Sequence, residues 1–374
     1  MQIEEFTLER IQSLYENVVD YNLSDSGVHP YSLNELLTAQ EREKVLAVEL
    51  GYGWTNGAVA LREAIAATYA NRTADEVMVT NGSAEANFLM AMTLLEPGDE
   101  IVVVVPNYLQ IRGWAKALGA VVREVPLREE LGWLPDPADI RAAITPRTKV
   151  ITLCTPNNPT GRVVPADLLG EIVAIARAHG LWLHTDEVYK GAEYGTAEPP
   201  SGVDLYEKAI VTNGLSKAMA MPGLRIGWLV GPAAEIYAAW QRKDYTSITT
   251  GAVSELVATM VLQPARRKAI LDRTRDLLSR NVELTVRWVR ANEGLVSLAP
   301  PQAGGMAFVR YHLPVNSTEL VHRIKDEQSV LLAPGDVYGM DGYFRVGIGA
   351  PAHVLENGLD RVQSFLRSHA RSAA

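Results

Sequence analysis

A lysine preceded by serine, Ser216-Lys217, follows the apolar run Ala209 to Asn213. A lysine at the mouth of a sheet can form a Schiff base once its pKa is lowered. Eight residues further on, in MPGLRIGW, stands Arg225, a fixed cation suited to a phosphate. Upstream, NGSAE (Asn81 to Glu85) follows one apolar stretch and opens another. Free N–H groups at such a helix start favour an anion. TPNNPTG (Thr155 to Gly161) and LHTDEVY (Leu183 to Tyr189) each close an apolar run. Each motif alone has an ordinary explanation: a turn with a cap, a tight turn, a surface carboxylate, a solvated lysine. Their succession along one chain is what points to chemistry.

The elements that position them read as alternating strands and helices. The patterning predicts strands at Glu76 to Val79, Glu100 to Pro106, Ala120 to Val125, Lys149 to Cys154, Leu181 to Thr185 and Ala209 to Asn213. Helices are predicted at Gly82 to Leu95, Leu109 to Leu118, Pro137 to Ala143 and Pro165 to His179. Such alternation implies a mostly parallel sheet covered on both faces, an α/β fold with ligands at the carboxyl ends of the strands. After about Gly251 the character changes. A long helical stretch through Arg290 is followed by GGMAFVRY, a helix near Thr318 to Glu327, and YFRVGIG (Tyr343 to Gly349), which suggests a smaller α+β domain. The expected division is an N-terminal arm over 1–40, a large domain over 41–255 and a small domain over 256–374.

Composition narrows the class. The 374 residues are 47% hydrophobic, and 35 Lys and Arg against 44 Asp and Glu give a net charge of −9. That balance argues against a nucleic-acid partner. One cysteine, Cys154, excludes an intrachain disulfide and a cysteine zinc cluster, and no metal site is expected. Cys154 reads as core packing. No apolar run is long enough for a membrane span, and the acidic start MQIEEFTLER is unlike a signal peptide, so a cytoplasmic protein is expected.

In that order, the motifs resemble those of the class I/II aminotransferases, fold-type-I enzymes that use pyridoxal 5′-phosphate (PLP). The resemblance runs from about Gly51 to Gly349. It implies a large domain with a mostly parallel, seven-stranded-type sheet, a smaller α+β domain and a homodimer. It further implies that Lys217 forms the Schiff base with PLP and moves the substrate's α-proton, while Asp186 pairs with the pyridinium nitrogen. Tyr189 and Asn158 would bond the ring hydroxyl, and Tyr108 would stack on the ring. Ser83, Ala84, Ser216 and Arg225 would take the phosphate, and Tyr52 would reach the neighbouring subunit's phosphate. Arg345 would clamp the α-carboxylate of an amino-acid substrate. One departure is Gly214, where many relatives place Ser or Thr against the phosphate.

The segment LSDSGVHPYSLNELL (Leu23 to Leu37) decides the reaction expected. Gly27 fits the glycine that touches the substrate in the family. The Ser-Gly-Val-His-x-Tyr run resembles that of capreomycidine synthase, which works on a hydroxylated arginine, and a His there is similar to PLP- and O₂-dependent arginine oxidases and hydroxylases. His29 is therefore expected beside Lys217 as a second titratable group, with Glu16 gripping a guanidinium. The first expectation is O₂-consuming oxidation or hydroxylation of a guanidino amino acid such as L-arginine. The alternatives are an ordinary aminotransferase and a PLP-dependent cyclase of a hydroxyarginine. A PLP-binding regulator is disfavoured, because Lys217 is intact and no basic domain is attached.

Overall fold

A computed structural model describes residues 2–372. The outer ends of the first and last expected segments, residues 1, 373 and 374, lie outside the described residues. Seven strands form the central sheet, in the order Val77–Asn81, Ile226–Val230, Ala209–Gly214, Trp182–Asp186, Thr148–Cys154, Glu100–Val105, Val121–Pro126. Ile226–Val230 runs antiparallel to both its neighbours, and the pairs from Ala209–Gly214 to Val121–Pro126 are parallel. Ile226–Val230 is not among the strands that the patterning predicts: Gly227 interrupts a short run that is fully buried.

The strands alternate between two apolar layers, as a period of two requires. Met78, Ile101, Val103, Val150 and Leu229 pack with Leu89 and Met90 of helix Ser83–Leu94. Val79, Val102, Ile151, Leu183 and Val211 pack with Leu169 and Ile172 of helix Ala166–His179. The stretch expected as one long helix is two, Ala252–Val261 and Pro264–Ala291. Pro264 lacks the N–H that would continue the first helix and instead starts the second.

A second, antiparallel sheet contains Ala333–Pro334, Tyr343–Gly347, Met306–Tyr311 and Val296–Leu298. The N-terminal segment joins this part, where Tyr21–Asn22 pairs in parallel with Val330–Leu331. Beyond it, the chain over residues 23–29 presses against three glycines. A Cβ on Gly349 would lie 1.9 Å from the Gly27 carbonyl oxygen, one on Gly347 2.0 Å from that of Asp25, and one on Gly305 2.3 Å from that of Gly27. This close approach carries the segment to the edge of the large sheet. Among the described residues, no helix is long and apolar enough to cross a membrane.

Candidate active site

The parallel strands end along one edge, and the motifs follow their ends. Asn81 leads into Gly82 and Ser83, Val105 into Tyr108, Cys154 into Asn158, and Gly214 into Ser216 and Lys217. Arg225 reaches the same edge because the antiparallel strand begins there, with Gly227 opposite Gly214. Ser83, Tyr108, Cys154, Asn158, Ser216, Lys217 and Arg225 line one cavity of about 250 Å³ together with Asp186, Tyr189 and Arg345.

One end is cationic. Helix Ser83–Leu94 has no side-chain cap on its first amides. Gly82 has φ +79°, and a Cβ there would sit 2.2 Å from the Arg225 guanidinium, so glycine is what lets Arg225 lie across the helix start. Gly214, the expected loss of a phosphate contact, has a packing reason: its Cβ would meet the Ile226 carbonyl oxygen at 2.9 Å.

Deeper in, Asp186 is 7% exposed and accepts hydrogen bonds from the Val188 N–H at 3.2 Å and Asn87 Nδ2 at 3.3 Å. Burial outweighs both bonds and pushes its carboxyl up to about 6. Asn87 lies one turn beyond Ser83 on the same helix face, a spacing legible in the sequence but outside the NGSAE motif. Cys154 is buried, its thiol donates to the Pro156 carbonyl, and burial pushes its pKa up, in keeping with packing.

The Lys217 Nζ donates to Asp25 Oδ1 at 3.0 Å. Lys217 beside it, more than any other group, holds the Asp25 carboxyl at about 2, although 53% of that side chain is accessible. Asp25 was missed because a lone Asp in a loop carries no periodic signal. Its neighbour Ser26 shares a 2.8 Å hydrogen bond with the Tyr189 hydroxyl. Arg345 is 1% exposed; its Nη1 donates to Asn158 Oδ1 at 2.8 Å and its Nη2 to the Ser24 carbonyl, while its Nε has no partner.

Glu9 and Gln12 of helix Thr7–Tyr15 also line the cavity, and Glu9 accepts from the Tyr108 hydroxyl at 2.8 Å. Glu16 is partly buried. Burial first, then Asp25 and Glu9, raises its pKa, so three carboxylates crowd together here. Gly27 is buried just behind Ser26 and does not line the cavity.

Besides Glu16 and Gly27, two further expected residues do not line the cavity. His29 is exposed and not among the lining residues; its N–H donates to the Gly349 carbonyl and its carbonyl accepts from Arg273. The position expected for it beside Lys217 belongs to Asp25, because the backbone is pinned to Gly349 after the chain has passed the lysine. Tyr52 is 87% exposed, away from this cavity, beside the exposed Leu50 and Trp54.

The donor set suits PLP. Uncapped amides with Arg225 and Ser216 fit a phosphate, a buried carboxylate fits a protonated ring nitrogen, Tyr108 offers an aromatic face, and Lys217 offers the amine.

The high pKa of Asp186 makes a prediction about the cofactor-free protein. A carboxyl whose folded pKa, about 6, lies above its usual 3.8 binds more protons when folded. Its contribution to stability is complete below 3.8 and is lost as pH rises through about 6. Asp186→Asn, uncharged throughout, should raise apoprotein stability at pH 7 by on the order of 3 kcal/mol and change it little near pH 4. Urea unfolding at both pH values reads this.

A family model described as Aminotransferase class I and II matches residues 25–362. Capreomycidine synthase from Streptomyces vinaceus is 33% identical over 363 residues, covering 94% of this chain and 90% of that protein. The structure of a PLP-dependent aminotransferase from Streptococcus suis superposes with a TM-score of 0.93 at 32% identity, covering 99% of each chain. The PLP-dependent cyclase OrfR superposes with a TM-score of 0.90 at 27% identity, covering 98% of each.

Proposed function

We propose a function from one premise: this chain belongs to the aminotransferase class I and II family. Its cofactor is PLP and it acts on amino acids. The finer reading is that the substrate is a free guanidino amino acid of the arginine kind. The observation that carries it is Asp25, which puts a carboxylate 3.0 Å from the reactive amine. Asp25 is not itself among the lining residues, but Glu9 lines the cavity that holds Lys217, and Glu16 is within electrostatic reach. An acidic side chain would meet this carboxylate cluster uncompensated, whereas a guanidinium would pair with it.

When bound, PLP supplies an electron sink for the pair left at the substrate's Cα. The residues do the rest. Arg345 holds the α-carboxylate through its fork of donors and fixes the face from which the Cα–H is presented. Lys217 takes that proton and later returns it, with Asp25 stabilising the protonated amine. Ser83, Ala84, Ser216 and Arg225 would anchor the phosphate. Asp186, oriented by Asn87, would pair with the ring nitrogen. Asn158 and Tyr189 would bond the ring hydroxyl, and Tyr108 would stack on the ring. Helix Thr7–Tyr15 roofs the cavity and limits entry of water.

The reaction favoured is ring closure on a β-hydroxylated arginine. The Cα–H bond breaks and re-forms, the Cβ–O bond breaks, a guanidino nitrogen bonds to Cβ and gives up its N–H proton, and one water leaves, so no oxidant is required. The likeness to capreomycidine synthase and to a PLP-dependent cyclase supports it. O₂-consuming oxidation or hydroxylation of L-arginine is the second reading; it rests on the sequence resemblance of the Leu23 to Leu37 segment, since His29 itself stands outside the cavity. Transamination is the third, supported by the Streptococcus suis aminotransferase. The division into an arm, a large and a small domain near residues 41 and 256 is part of this proposal. So are a cytoplasmic setting and a homodimer formed through the exposed Leu50, Tyr52 and Trp54.

The test gives the holoenzyme β-hydroxyarginine or L-arginine in an oxygen electrode, with and without a 2-keto acid. Ring closure predicts a product lighter by one water, with no oxygen uptake and no need of keto acid. Oxygen uptake on L-arginine alone establishes the second reading, and turnover only with keto acid establishes transamination. Asp25→Asn should raise KM for the guanidino substrate by about tenfold, the worth of one charge-assisted bond.

A further inference from the structure

Arg345 and Tyr338 are neighbours, and each keeps a buried polar atom without a partner among the described residues. On Arg345 it is Nε, since Nη1 and Nη2 are taken by Asn158 and the Ser24 carbonyl. On Tyr338, which is 3% exposed, it is the hydroxyl. The guanidinium carbon of Arg345 lies 5.6 Å from the centre of the Tyr338 ring. Burial raises the pKa of that hydroxyl, and the groups that act on it next are Arg345, Tyr189, Lys217 and Glu9, in that order. All four line the Lys217 cavity, so the hydroxyl faces that cavity from behind its wall.

The backbone fixes this arrangement. Ala333 pairs with Arg345 across the second sheet, and the single turn Gly335–Tyr338 leaves directly from strand Ala333–Pro334. The Met340 N–H closes the turn on the Gly335 carbonyl at 2.9 Å. A Cβ on Gly335 would lie 1.9 Å from the Met340 carbonyl oxygen, so the turn needs glycine there. Asp336 ties it to the next helix: its N–H donates to the Ser317 hydroxyl at 2.9 Å, and its Oδ2 accepts from the Thr318 hydroxyl at 2.8 Å. Phe308 meets the Tyr338 ring edge-on, with centroids 6.0 Å apart. The hydroxyl is therefore held in place rather than free to swing to another partner.

A buried polar group left unpaired costs the unliganded protein and is completed by a ligand. The Arg345 Nε–H can only donate, and a neutral phenol donates readily to an anion. Two donors side by side suit the two oxygens of a carboxylate. A cationic side chain would meet Arg345 as a like charge, so this end of the cavity selects the acid group.

We propose that Tyr338 is a substrate-binding residue whose hydroxyl donates to one oxygen of the α-carboxylate while Arg345 donates to the other. The inference rests on the reading that Arg345 takes the carboxylate, and gives that clamp a neutral second arm. Two fixed arms set the plane of the carboxylate, and with it the direction in which the Cα–H points. In the unliganded protein the hydroxyl is idle, so it serves binding and not the fold.

The test is Tyr338→Phe, which removes the hydroxyl and keeps the ring. Initial rates of α-proton exchange in deuterated water, over a range of L-arginine and L-argininamide concentrations, give kcat/KM for acid and amide in the holoenzyme. Tyr338→Phe should lower the value for L-arginine about tenfold, the loss of one charge-assisted bond, and that for L-argininamide less than about twofold. Cofactor absorbance and the unfolding midpoint should be unchanged. The proposal is overturned if the acid loses nothing, or if acid and amide fall alike. It is also overturned if the variant loses its cofactor absorbance or its stability, because the hydroxyl would then serve the unliganded fold. If the unaltered enzyme exchanges L-alanine but not L-arginine, the guanidino reading fails, and L-alanine against L-alaninamide decides Tyr338 by the same outcomes. Exchange on neither acid overturns both.

Discussion

Lys217→Ala should abolish the yellow colour of the holoenzyme and lower kcat by about 10⁴-fold, the upper range for removing a positioned proton-transfer group. Lys217 stands just past the carboxyl end of strand Ala209–Gly214, with 27% of its side chain accessible. Among the described residues it is the lysine that lines the cavity with Asp186, Tyr189 and Arg345. Among the described residues its side chain pairs with half-accessible Asp25, so its loss costs the fold little. The variant should therefore keep its circular dichroism and unfolding midpoint while losing absorbance and turnover together. Retained colour would refute the assignment of the amine. In the same variant Asp25, freed of its cation, should titrate above the value of about 2 it has beside Lys217.

Arg345 gives the second large effect. It is 1% exposed, and its donors reach Asn158 and the Ser24 carbonyl. Its ring-facing side lies over Tyr338, 5.6 Å from the ring centroid. Arg345→Ala should lower kcat/KM by about 10²- to 10³-fold, the scale of an unpaired carboxylate in a desolvated site. It should also cost stability on the order of 2 kcal/mol, since buried acceptors lose their donor. Arg345→Lys keeps the charge but not the two-pronged geometry, so it should recover only a small part of the activity. Comparing L-arginine with L-argininamide isolates the effect. The unaltered enzyme should prefer the carboxylate strongly, and Arg345→Ala should handle both alike. A preference that survives in Arg345→Ala would place the carboxylate elsewhere.

Much of this architecture was legible in the sequence because a parallel sheet writes itself plainly. Glu100–Val105 and Thr148–Cys154 are apolar on both faces, and each is followed by a loop whose residues face the site. Ser83, Asn158, Asp186 and Lys217 therefore meet where strand ends predict, while Arg345 comes from the middle of Tyr343–Gly347 in the second sheet. Ile226–Val230 was hidden by Gly227, which a Cβ would drive to 2.3 Å from the Ser83 amide. That contact is long-range, and no local pattern reveals it. Asp25 and His29 illustrate the same limit. Both lie in one loop, and which of them meets Lys217 depends on the pressing of residues 25–27 against glycines more than 270 positions away in sequence. Loop residues point where their tertiary anchors aim them, so the loop's composition was readable and its aim was not. Tyr52 differs again: its exposed surroundings are apolar, and the role expected of it involves a second copy of the chain.

The central claim is that Lys217 moves the α-proton of an amino acid whose cationic side chain is accepted by the carboxylates around Asp25. Solvent exchange reads it directly, whatever product the enzyme finally makes. The holoenzyme is placed in deuterated water with L-arginine or with L-aspartate, and loss of the α-proton signal is followed by NMR. The account predicts rapid exchange on L-arginine, none with Lys217→Ala, and exchange on L-aspartate slower by about tenfold, the worth of one charge-assisted bond at the half-accessible Asp25. Faster exchange on L-aspartate than on L-arginine would contradict it.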